Sequence, residues 1–123
     1  MNEVDKLIKD AGGIPPVDTS KVTLTDGSPV TPDHLEIGPN GMQKGYIVLS
    51  EEERKRGFVR PVRYKYVHLK CGSVTKMSDA LAETYARKPT FYNGTFCCAC
   101  GAHFQVGADG EFIWDGTTDK VGT

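Results

Sequence analysis

Val4, Leu7 and Ile8 stand at i, i+3 and i+4 in an otherwise polar start, and this single apolar stripe predicts a short helix over residues 2–11. A helix of about ten residues does not hold alone in water, so it must dock on something. Gly12-Gly13 stops it and Pro15-Pro16 blocks an early restart. Apolar positions then thin out over residues 14–45. Asp26-Gly27, Ser28-Pro29, Thr31-Pro32, Gly38-Pro39 and Asn40-Gly41 punctuate the stretch, with short extended pieces such as 21–25 between them. Such a segment reads as one with few contacts to its own domain, either a disordered leader or an arm laid over a partner.

The pattern tightens at Tyr46-Ile47-Val48-Leu49, a run expected to be a buried strand. Ser50 with Glu53 three residues on predicts a reciprocal capping box and a helix over 51–56, closed by Gly57. Alternation over 62–69 predicts a strand with Val62, Tyr64, Tyr66 and His68 on one face. Met77, Leu81 and Tyr85 predict a helix over 76–87, capped by Thr75 or Ser78 and ended by Pro89. Three short strands follow, at 94–97, 103–107 and 111–115, with a turn at 107–110 before a loose polar tail at 117–123.

At 123 residues, with 38% hydrophobic positions, 14 Gly and 7 Pro, the chain has room for one modest core and long irregular connections. No run approaches the ~20 apolar residues of a membrane span, and the start has no apolar signal region, so a membrane or exported disulfide protein is not expected. The net charge of −1 conceals a basic middle. Residues 44–76 carry 9 basic and 3 acidic side chains, while both flanks are acidic. Either the flanks neutralise the middle, or the middle is a patch for nucleic-acid phosphate.

One small pattern occurs twice. His68-Leu-Lys-Cys71-Gly72 and Cys97-Cys98-Ala-Cys100-Gly101 both read ligand-x-x-Cys-Gly. The two-residue gap lets both ligands of a tight turn face one metal, and the glycine takes the turn's positive φ. Together they supply His68, Cys71, Cys97 and Cys100, three sulfurs and one nitrogen, the donor set of structural zinc. Cys98 could stand in for Cys97, but with a poor bite on Cys100; His103 could stand in for His68, but completes no knuckle. Two disulfides, or four buried apolar thiols, are the alternatives. His34 has no role in this reading.

The doubled knuckle resembles the zinc-ribbon group, in which two knuckles at hairpin ends hold a small sheet. The resemblance covers about residues 62–115 and departs where a helix is inserted between Cys71 and Cys97. The phrasing of 82–92, the Cys-x-x-Cys and Phe112-Ile113-Trp114-Asp115-Gly116 are also similar to small uncharacterised proteins of tailed bacteriophages. The expected fold is small α+β: a zinc-ribbon-like antiparallel domain over 46–116 with one inserted helix, after a helix-and-arm segment over 1–45.

No enzyme is expected. A zinc deaminase needs His-x-Glu and Pro-Cys-x-x-Cys, whereas Lys70 and Phe96 occupy the positions where the Glu and the Pro would stand. Gly-rich phosphate loops and Gly-x-Ser-x-Gly are absent. The abundant aromatics of 64–114 read as core, or else as a stacking platform beside Arg63, Lys65 and Lys70. The resulting expectation is a non-enzymatic, zinc-stabilised structural or assembly protein that contacts other protein subunits. A phage virion component, located in the virion or host cytoplasm, fits it. The alternative is a nucleic-acid-binding accessory protein using 44–76.

Overall fold

A computed structural model describes residues 15–123; the helix expected over 2–11 lies outside them. The described residues form a small α+β arrangement, with antiparallel sheets and two helices among them. β1 (Val22–Leu24) pairs with β2 (Ile47–Leu49), and α1 (Glu51–Arg54) follows directly. β3 (Lys65–His68) lies between β4 (Val74–Lys76) and β7 (Phe112–Trp114) in a three-stranded sheet. Between β4 and the hairpin of β5 (Gly94–Cys97) and β6 (Ala102–Gln105) runs α2 (Asp79–Arg87).

Period-2 burial sets the central strand. Tyr66 and His68 point inward and Lys65 outward, while Tyr64, expected on the inner face, is 39% exposed just outside the strand. The core gathers Tyr66, Met77, Ala82, Tyr85, Phe112 and Trp114 with Val106 and Val121. Tyr66 meets Phe112 and Trp114 edge-on, with ring centroids 5.3 and 6.4 Å apart. α2 is shorter than expected at its start. Ser78 is the cap, accepting the Leu81 amide at 3.3 Å, and 74–76 instead pair with β3 as a strand.

Three further expectations are corrected. The capping box is only half made: Ser50 Oγ accepts the Glu53 amide at 3.3 Å, but the Glu53 carboxylate turns away. It accepts from the Asp18 amide at 3.0 Å and pairs with Arg87, both side chains being 1% exposed. Second, residues 15–45 do not stand off from the rest of the chain. Arg87 also donates to the Pro15 carbonyl at 2.8 Å, β1 pairs with β2, and Gly41 abuts Gly101 so closely that a Cβ there would fall 1.9 Å from the Gly101 oxygen. Third, the tail is held, not loose. Val121 is fully buried, its carbonyl accepts from Gly107 at 2.7 Å, and Lys120 bridges to Ile113.

Candidate metal centre

Both knuckles sit in the turns of hairpins. β3 runs into the first. Its turn closes with the Cys71 and Gly72 amides donating to the His68 carbonyl at 3.2 and 2.7 Å, before β4 returns. β5 runs into the second, where the Gly101 amide donates to the Cys97 carbonyl at 2.9 Å and the Cys100 amide to Cys97 Sγ at 3.4 Å. Gly72 and Gly101 hold φ of 76° and 66°, the left-handed conformation that each turn requires.

The hairpin tips converge. One donor atom from each of His68, Cys71, Cys97 and Cys100 lies within 4.8 Å of every other. His68 Nδ1 is 3.3 Å from Cys71 Sγ and 3.6 Å from Cys100 Sγ, and Cys71 Sγ is 3.5 Å from Cys97 Sγ. Zinc bonds of about 2.3 Å to sulfur and 2.0–2.1 Å to nitrogen imply tetrahedral edges of about 3.8 Å between sulfurs and 3.6 Å between sulfur and nitrogen. The donor chemistry and spacing therefore fit a tetrahedral metal. All four cysteines are free thiols, so the disulfide alternative is not realised.

His68 is held from three sides. Its ring stacks between Phe104 and Phe112, with centroids 4.5 and 4.8 Å away. Its Nε2 meets the Glu111 carboxylate at 2.8 Å, which leaves Nδ1 to face the thiols. This is the arrangement in which a carboxylate orients a ligating imidazole. Burial opposes the imidazolium, yet the bonds to Glu111 and Cys71 outweigh it and raise the His68 pKa. Chiefly through the Ser73 amide, the Cys71 thiol is brought down to about 6. Its neighbour Cys100 is pushed up to about 11, mainly by Cys97. One thiolate forms readily and its charge opposes the next, a conflict that a bound cation would remove.

The residues weighed as substitutes stand elsewhere. Cys98 is exposed, with its thiol 3.4 Å from the Val74 carbonyl. Nε2 of His103 meets the Tyr46 hydroxyl at 2.8 Å. Glu111 belongs to no ligand-x-x-ligand pattern and was not foreseen. It reaches His68 only because β7 pairs with β3 in the register His68↔Phe112.

The basic middle is largely matched by carboxylates. Lys44, Arg54, Lys55, Arg56, Arg63 and Lys70 each face one, and four of those partners, Asp33, Glu83, Glu111 and Asp119, come from the acidic flanks. Among the described residues no helix is long and apolar enough to cross a membrane. No family model, no protein of curated function and no solved structure matches this chain.

Proposed function

We propose that this chain is a zinc-stabilised, non-enzymatic structural or assembly protein with a zinc-ribbon-like centre. The convergence of His68, Cys71, Cys97 and Cys100 from two hairpin tips carries the reading. Three thiolates and an imidazole suit zinc, and four protein donors close the coordination shell, leaving no position for a reacting water. Bound there, zinc would supply crosslinking between the two hairpins.

The partners in this reading are other protein subunits, as in a phage virion-associated component such as a capsid decoration or stabilising protein. The virion or the host cytoplasm would be its location. In this reading the apolar stripe of Val4, Leu7 and Ile8 in the sequence is what contacts neighbours. Neutralisation of the basic middle by Asp33, Glu83, Glu111 and Asp119 weighs against a role for 44–76 in holding nucleic acid.

Elemental analysis of the native protein tests the centre, with one zinc per chain expected. Cys100→Ser should lose the metal and Cys98→Ser should keep it. Metal-free native protein, or loss of metal on Cys98→Ser alone, rejects the assignment. Retention of duplex DNA at low salt that fails steeply as salt rises would instead favour the nucleic-acid reading.

A further inference from the structure

Beside the metal centre, a cavity of ≈ 190 Å³ opens between α2, the three-stranded sheet and the β5–β6 hairpin. Tyr66, Met77, Leu81, Tyr85 and Phe96 line it, and the exposed Lys76 stands among its lining residues. Apolar cavities of about 150 Å³ admit benzene, so this one has the size for a single substituted ring.

Its polar groups are not equivalent. The Tyr66 hydroxyl donates to the Phe96 carbonyl and accepts from Thr95 Oγ1 at 3.2 Å. The Tyr92 hydroxyl donates to the Ile47 carbonyl at 2.7 Å. The hydroxyl of Tyr85, a residue only 3% exposed, has no hydrogen-bond partner among the described residues. Thr95 lies beside it, but the Thr95 hydroxyl is turned to Tyr66 and donates there. A buried donor left unpaired costs free energy that a ligand acceptor would recover. Burial among apolar side chains disfavours a charged ligand, and the lining rings suit an aromatic one: Tyr85 meets Trp114 edge-on at 5.6 Å and Tyr92 at a tilt at 4.9 Å.

We propose that this cavity binds a small, neutral, single-ring aromatic molecule bearing one hydrogen-bond acceptor, which receives the Tyr85 hydroxyl. The site is separate from the metal cluster and does not depend on the structural role proposed above.

The test uses the full-length, zinc-loaded protein and two probes of nearly equal shape: acetophenone, which has an acceptor, and ethylbenzene, which has none. Nuclear magnetic resonance of the Met77 and Leu81 methyl groups reads occupancy. Both probes should produce saturable shifts, with acetophenone the tighter. Tyr85→Phe should weaken acetophenone about tenfold, the worth of one hydrogen bond, and leave ethylbenzene unchanged. Leu81→Phe, which fills the cavity, should abolish both. Methyl groups that answer neither probe at millimolar concentration overturn the proposal. So does an acetophenone preference that survives Tyr85→Phe, or binding that survives Leu81→Phe.

Discussion

The two ring nitrogens of His68 have different partners, and the difference decides how the ring can act. Nδ1 faces Cys71 and Cys100, and Nε2 faces Glu111. A carboxylate on the far nitrogen holds the proton there, keeps the near lone pair free and makes it more basic. Phe104 and Phe112 stop the ring from turning. Glu111→Ala should therefore weaken metal binding about 10–100-fold without removing any ligand. Glu111→Gln, which keeps an acceptor but loses the charge, should fall between that variant and the parent. Competition with a chromophoric chelator measures this directly, and an unaltered affinity in Glu111→Ala would remove the orienting role. The four clustered residues were legible because turn chemistry is local: two gaps and two glycines suffice. Glu111 was not, because its meeting with His68 depends on a strand pairing across 43 residues.

At the scale of elements, the same contrast separates what spacing reveals from what packing decides. The β5 strand at 94–97 and the helix with its Ser78 cap follow from alternation, period and cap chemistry. β4 escaped because Thr75 reads as a cap and Lys76 as the start of the following helix; pairing with β3 across the knuckle overrides that preference. The region 15–45 misled for another reason. Turn-rich composition signals irregular backbone, yet backbone carbonyls such as those of Pro15 and Pro16 can still be gripped by a buried Arg87. Gly41 tests the other end of that segment. It has a φ of 87° and no room for a Cβ beside Gly101. Gly27 has nearly the same φ, 88°, but open space around it. Gly27→Ala should cost only the backbone strain, whereas Gly41→Ala should add to the same strain the displacement of the segment from the second knuckle, about 1–3 kcal/mol more. Thermal melts of the two variants side by side decide the matter; equal losses would mean that the contact at Gly101 contributes nothing.

Across the whole molecule, two clamps of different chemistry hold one small core. A metal held by the four donors would tie the hairpins together, and structural zinc in small peptides is worth about 10–16 kcal/mol in apparent binding. Elsewhere Glu53 and Arg87 tie α1, α2 and the segment from Pro15 to Asp18 into one buried junction. The two should fail under different conditions. The Asp18 amide, followed by Arg56 and Arg87, holds the Glu53 pKa at about 2, below its ordinary value of 4.5. A carboxylate depressed on folding adds stability that is complete above the unfolded value and disappears as pH falls toward the folded one. The Glu53 contribution should therefore be intact at neutral pH and fade from about pH 4.5 to about pH 2. Protons would also displace a zinc bound at these thiolates, so the wild-type acid curve would mix both clamps. The difference between wild type and Glu53→Gln isolates one of them. At pH 7 that substitution leaves Arg87 buried without its counter-charge and should cost about 3–5 kcal/mol, as breaking buried pairs does. The gap should narrow steadily below pH 4.5, because the wild type then loses by protonation what the variant lacks from the start. Chelation at pH 7 should destabilise both proteins without closing the gap. Denaturant melts across this pH range, with and without chelator, separate the two clamps. Parallel curves for wild type and Glu53→Gln down to pH 2 would show that the Glu53 charge is not what holds the junction.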